Sequence, residues 1–327
     1  MRRAFMNCSV VIRCFNEAEH LPGLLEGLRR QTVPRVEVII VDSGSTDSTV
    51  AIARKWEARI LHISQQDFSF GRALNRGVAA ATGDMVVFAS AHTYPTSNQW
   101  LELLLQPLER SDVALVYGGQ HGDHRTKFSE RQIFRQWFPE ISCWDQRHPF
   151  CNNANAAIRR ALWNEMRYDE EMPGLEDIHW AKRALERGYK SLYRHEAAVA
   201  HIHQEPYGEI YHRYRREAMA LRMISSWERI GLINTVSLMV RAMASDMAEA
   251  RKQDVLGRAA WSIMRFRAAQ YWGAYRGSQW HGRLTGELRT RLYYPRGYRA
   301  ADGRSVQLTD EGDHLETSSL QVETHVS

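Results

Sequence analysis

The chain has 327 residues, 44% hydrophobic and 25% charged, with four cysteines and a formal net charge of +5. That is an ordinary soluble composition, large enough for one substantial core or a core with a helical appendage, and it excludes a small disulfide-framed scaffold. No run approaches the roughly 18 apolar residues of a membrane span, and Met1–Met6, positive but without an apolar stretch, does not read as a secretory signal. Cys8, Cys14, Cys143 and Cys151 show no C-x-x-C spacing, so reduced thiols in a cytosolic protein are expected.

Residues 7–14 read as a buried strand, followed by a polar turn at Phe15-Asn16-Glu17 and an amphipathic helix carrying Leu21, Leu24, Leu25 and Leu28. A second apolar run, Val36 to Val41, ends in Asp42-Ser43-Gly44-Ser45-Thr46-Asp47; a helix then runs to Trp56 and a strand covers Ile60 to Ile63. A helix over Gly71–Ala81 and a strand over Met85–Ala89 follow, then a helix over Asn98–Arg110 and a strand over Val113–Tyr117. Residues 118–150 read as an irregular substrate loop with a short helix near Arg131–Trp137, and Ala154–Ile158 returns to the sheet. Glu176–Arg187 is a helix closed by Gly188, and Tyr189–Tyr193 is a last strand. From Glu205 to Arg276 the pattern is helical. Strands alternating with helices predict an α/β fold with a mainly parallel sheet and right-handed crossovers. Three polar clusters, Asn16-Glu17, Asp42–Asp47 and Ser90–His92, fall at the carboxyl edge of that sheet, where open α/β sheets bind ligands.

Val10–Glu17, Val41–Asp47, Asn75-Arg76-Gly77 and Ala81–Asp84 together resemble family 2 glycosyltransferases of GT-A fold. Phe68–Asn75, Cys151–Arg160 and Leu175–Ala181 resemble the rhamnosyltransferase branch of bacterial surface-polysaccharide enzymes. The resemblance spans residues 7–215 and implies a Rossmann-like GT-A domain over 1–204. A helical region over 205–300 would serve the acceptor, a membrane surface or a homodimer, and 301–327 would be an acidic disordered tail. Arg-rich segments with aromatics between Arg213 and Arg299 favour a membrane surface or helix packing over nucleic acid.

The resemblance implies donor-nucleotide roles for Asn16, Glu17, Asp42, Ser43, Arg72 and the Ser90-Ala91-His92 stretch. Asp42 can accept from a pyrimidine N–H or ribose hydroxyls, or open the turn that caps the next helix, where Asp47 is the better N-cap. Ser90 and His92 stand where the family presents two metal-binding aspartates. Ser is a weak ligand for Mg2+ or Mn2+ and His a fair one for Mn2+. His201 and His203, two apart on an extended segment, face one side and complete a divalent-metal or diphosphate contact with His92. By position alone Glu176 and Asp177 read as helix-start acids; the resemblance implies that Asp177, with Glu176 beside it, is the general base of an inverting displacement, kept ionised by the helix N-terminus. Asn153, Asn155 and Trp180 are expected at the sugar or acceptor.

The expected activity is transfer from a nucleoside-diphosphate sugar to a growing surface polysaccharide or lipid-linked saccharide, in the cytoplasm or peripherally at the inner face of the plasma membrane. The rivals are a non-catalytic nucleotide-sugar-binding subunit and a nucleotidyltransferase; the lack of a Gly-rich phosphate loop after the first strand counts against the latter.

Overall fold

The computed structural model describes residues 7–225, 229–282, 284–294, 298–299 and 305–306. Four parallel strands lead: β1 (Cys8–Cys14), β2 (Val36–Asp42), β3 (Arg59–His62) and β4 (Met85–Ser90). Helices α1 (Leu21–Arg29), α2 (Thr49–Lys55) and α3 (Phe70–Ala80) connect them. Then come β5 (Thr93–Pro95), α4 (Trp100–Leu105) with a 3-10 turn, β6 (Val113–His121), α5 (Phe128–Trp137), β7 (Cys143–Gln146), β8 (Asn155–Arg159), α6 (Arg160–Glu165), α7 (Glu176–Glu186) and β9 (Lys190–His201). The nine strands form one sheet in the order β3-β2-β1-β4-β8-β6-β9-β5, with β7 also on β9. Six strands run one way; β5, β7 and β8 run against them.

Alternation on the strands builds two cores. Val10 and Ile12 face α1 and α4, packing with Leu21, Leu24, Leu28 and Trp100. Val11, Ile39 and Phe88 face the other layer, packing with Leu74, Val78 and Trp180. Coverage on both faces explains the near-continuous apolar runs in β1, β2 and β4. The sheet narrows at Gly118 of β6, where a Cβ would overlap the carbonyl oxygen of Ala197 on β9. Gly188 ends α7 at φ 84°, in the left-handed region.

The remaining helices are α8 (Tyr207–Ile224), α9 (Leu232–Lys252), α10 (Leu256–Ser278) and α11 (Gly286–Tyr293). Gly273 and Gly277 of α10 lie against the backbone of Tyr211 and Arg215, so α8 and α10 pack closely. Asp246 and Arg267 form a buried two-pronged pair at 2.8 Å between α9 and α10. Ile133 of α5 packs with Ile210, Tyr214 and Phe266, so Tyr214 and Phe266 are internal, whereas Trp261 and Trp272 face outward. Among the described residues no helix is long and apolar enough to cross a membrane. Of the tail over 301–327, only Ser305–Val306 is described; it forms β11 and pairs with β10 (Tyr298–Arg299).

Candidate active site

The first two polar clusters bind each other. Asn16, at φ 56°, accepts from the Thr46 amide at 2.7 Å, and Ser45 Oγ accepts from the Asn16 amide at 2.9 Å. Asp47 accepts from the amides of Ala18 at 3.0 Å and Thr49 at 2.9 Å, one residue before the helix cap expected of it. Asp42 takes the turn amides of Gly44 and Ser45 at 3.1 and 3.3 Å. Asp42 and Ser43 are both buried, and the hydroxyl of Tyr294, whose ring packs on Phe15 and Phe68, lies beside them. Arg72 is held by Glu170 at 2.8 Å and the Asp67 carbonyl at 2.7 Å, latching α3 to the loop before α7. Ala91 is 0% exposed, which removes it from direct donor contact: it packs in the core behind the strand end.

Sheet register assembles the third cluster. β5 pairs antiparallel with β9 so that Thr93 opposes His201, and the Ile202 amide donates to the His92 carbonyl at 3.1 Å. His92, His201 and His203 therefore meet, each offering a ring nitrogen within 4.8 Å of the others. The ring centroids of His92 and His201 lie 5.1 Å apart, and those of His201 and His203 4.1 Å apart. Each Nδ1 has its own partner: Glu17 Oε1 for His92 at 2.9 Å, Gln120 Oε1 for His201 at 2.7 Å and Glu130 Oε1 for His203 at 2.8 Å. Ser90 Oγ lies 3.1 Å from His92 Nε2, while His201 Nε2 is buried without a hydrogen-bond partner. Burial works against a charge on His92, but Glu17 outweighs it and raises the pKa. Burial, then His203 and His92, push His201 well below the usual range and keep it neutral. A buried neutral nitrogen with nothing to bond, among imidazoles anchored from behind, fits a divalent cation.

On the other side of residues 153–155 lies Asp177. Leu175, at φ 53°, makes the tight entry to α7. Asp177 accepts from the amides of Asn153 at 3.0 Å and Ile178 at 2.8 Å. The Ser90 amide donates to the Ala154 carbonyl at 3.2 Å, so one short segment carries contacts to both Asp177 and the third polar cluster. Asp177 lines a cavity of about 700 Å3 walled by Tyr117, Trp137, Phe150, Tyr193 and Tyr214, with Glu217 of α8 as a second carboxylate. Burial, then Glu176, raise its carboxyl to about 7, against the pull of the two amides and Arg13. Desolvation thus outweighs the helix N-terminus that was expected to keep it ionised. Glu176 is paired to Arg13 at 3.2 Å and is absent from the cavity wall.

Asn155 and Trp180 do not reach this cavity. Asn155 is 0% exposed and bonds Trp100 Nε1, Gly119 O and Ala197 O. Trp180 is 1% exposed, with its Nε1 on the Met166 carbonyl. Their polar atoms satisfy the core. Asn153 is buried and meets Asp177 through its backbone. Sequence reasoning missed Gln120, Glu130 and Arg213, the last pairing with Glu130 at 2.7 Å and Glu205 at 2.9 Å. It missed the aromatic wall as well. None of these lies in a motif; strand register and helix packing bring them together.

Residues 9–167 match the family described as Glycosyl transferase family 2. The chain is a glycosyltransferase with a family 2 domain. The glycosyltransferase is 28% identical over 222 residues to the O-antigen chain rhamnosyltransferase RfbN of Salmonella typhimurium, covering 64% of this chain and 70% of that one. It is 26% identical over 247 residues to glycosyltransferase AglE of Haloferax volcanii, covering 70% and 78%. Its fold is similar to that of the Pyrobaculum calidifontis mannosyltransferase PcManGT, solved with GDP-Man and Mn2+: the TM-score is 0.56 at 19% identity, covering 84% of this chain and 87% of that one. That likeness establishes a GT-A fold.

Proposed function

We propose that the protein is an inverting glycosyltransferase that moves a sugar from a nucleoside-diphosphate donor onto a saccharide acceptor, with Asp177 as general base. The observation that carries this is the carboxylate of Asp177 in an aromatic-walled cavity, joined through residues 153–154 to the loop that ends in His92. The rings of Trp137 and Phe150 offer faces for the apolar side of a sugar ring. Asp177 takes the proton of the acceptor hydroxyl as its oxygen bonds to the anomeric carbon. The carbon–oxygen bond to the diphosphate breaks, and the leaving group takes that electron pair. A base with a pKa of about 7 gives more driving force than an ordinary aspartate and is still largely ionised at pH 8.

His92, His201 and His203 would hold a divalent metal, which when bound neutralises charge on the donor diphosphate. Asn16, Glu17, Asp42, Ser43, Arg72 and Ser90 form or brace the nucleotide side; Asp42 and Ser43 become available once Tyr294 moves aside. The action of RfbN on O-antigen chains supports a surface polysaccharide or its lipid-linked precursor as acceptor, handled at the cytoplasmic face of the membrane. The outward Ile233, Val236, Val240 and Trp261 of α9 and α10 suit peripheral attachment there. The test is a panel of UDP-, GDP- and dTDP-sugars with saccharide acceptors, followed by NMR of the product. One donor is expected to give the anomer opposite to its own. Retained configuration, or no turnover of any donor, overturns the reading.

A further inference from the structure

α8 turns one stripe toward the cavity that holds Asp177: Tyr214, Glu217, Ala218, Leu221 and Arg222, at helical spacing. A carboxylate within such a stripe is costly unless something pairs with it. The other polar groups of the wall are engaged within the protein. Tyr117 donates to Gln146 Oε1 at 2.6 Å, and Gln146 donates to the carbonyls of His148 and Phe150 at 2.7 and 2.6 Å. Tyr193 donates to the Pro139 carbonyl at 2.8 Å, and Arg222 donates to the Ser278 carbonyl. Glu217 differs from them. The cations that face it on α8 are committed elsewhere: Arg213 to Glu130 and Glu205, Arg216 to the Leu292 carbonyl and the face of Phe70. Among the described residues its carboxylate has charged neighbours but no hydrogen bond. Burial raises its pKa, against the pull of Arg213 and Arg216.

We propose that Glu217 recognises the acceptor: its carboxylate accepts a hydrogen bond from a hydroxyl of a neutral sugar, a different hydroxyl from the one that gives its proton to Asp177. This rests on the cavity being the acceptor side of the reaction, as proposed above, and adds what selects the acceptor. Asp177 at the start of α7 and Glu217 within α8 hold the sugar at two points, while Trp137 and Phe150 meet its apolar face. One point of attachment leaves a ring free to turn; two decide which hydroxyl meets the base. A carboxylate placed to accept from a hydroxyl also rejects a sugar that lacks it, because the charge is then left unpaired away from water. Glu217 lies beyond residues 9–167, so the family match does not mark it.

The test is sugar binding to the full-length protein with no donor present. Methyl glycosides of the common hexoses and 6-deoxyhexoses are titrated, followed by tryptophan fluorescence and saturation-transfer NMR. For the tightest of them, each monodeoxy analogue is then titrated against wild type, Glu217→Gln and Glu217→Leu, with folding checked by circular dichroism. One analogue is expected to bind wild type about 10- to 100-fold more weakly than its parent. The same analogue and parent should bind Glu217→Leu within about twofold of each other. Glu217→Gln keeps an accepting oxygen without the charge and should fall between. A merely structural Glu217 would leave the pattern of deoxy losses the same in all three proteins; that result, or a wild type that binds none of the glycosides, overturns the proposal. The expected binding without sugar transfer would instead count against the transferase mechanism and leave this subsite standing. Transfer with an unchanged deoxy pattern would count against Glu217 alone.

Discussion

Asp177→Asn should inactivate the enzyme and stabilise it, and the stabilisation should depend on pH. A carboxyl held at about 7 where its ordinary value is 3.8 costs the folded state about 4 kcal/mol when ionised, at about 1.4 kcal/mol per pH unit. The folded protein binds this proton more tightly than the unfolded chain. The associated stability is therefore fully present below pH 3.8 and lost as pH rises through about 7. At pH 8 nearly the whole cost applies; at pH 5 the folded carboxyl is protonated and less than about half applies. Asparagine carries no such cost. It keeps an oxygen for one of the two amides of Asn153 and Ile178 and leaves the other unpaired, a loss of about 1 kcal/mol. The variant should therefore gain about 2–3 kcal/mol at pH 8 and close to nothing at pH 5. Urea unfolding of both proteins at both pH values, followed by tryptophan fluorescence, measures this, since titrating groups that do not interact with Asp177 cancel in the difference. Equal stabilisation at the two pH values, or a variant weaker than wild type at pH 8, would refute the claim that desolvation sets this pKa.

Arg13→Met removes the partner of the nearly buried Glu176 and should cost about 3 kcal/mol in urea unfolding. Because Arg13 also holds the Asp177 pKa down, the acid limb of the rate profile should move to higher pH. Tyr294→Ala uncovers Asp42 and Ser43 and should tighten nucleoside-diphosphate binding severalfold by calorimetry with UDP, GDP and dTDP; weaker binding of all three would show that the ring supports the base. Gly118→Ala drives a Cβ into the Ala197 carbonyl and should cost several kcal/mol or abolish soluble expression. Gly208→Ala, with nothing within 4 Å, should change the melting temperature little.

The parallel strands β1, β2 and β4 and the apolar face of α1 were legible because burial on both faces of a sheet writes an unbroken apolar run into the sequence, and burial on one face of a helix writes a period. β9 was read only to Tyr193; the strand runs on to His201 through Arg194-His195-Glu196, where its register with β6 shifts between Gly118–Arg194 and Gln120–Val199 and Glu196 meets Arg194 and Ser142. The full strand is what brings His201 opposite Thr93 and next to His92. The reversed direction of β8 left no periodic trace either, because an antiparallel strand covered on both faces reads as the same apolar run. Asn155 looked like a sugar contact because an amide is versatile, and that versatility is spent on Trp100, Gly119 and Ala197 inside the core. The Glu176-Asp177 pair was visible as helix-start acids, but their division of labour was not: Arg13 and the cavity come from distant segments.

The direct test of the account is turnover by wild type and Asp177→Asn at pH 8, with donor affinity measured on the same samples. The variant is predicted to lose about 10^3-fold in kcat with donor Kd within twofold, as expected when a general base is removed and the nucleotide loops are untouched. Turnover within tenfold of wild type would contradict the assignment of the acceptor proton to Asp177.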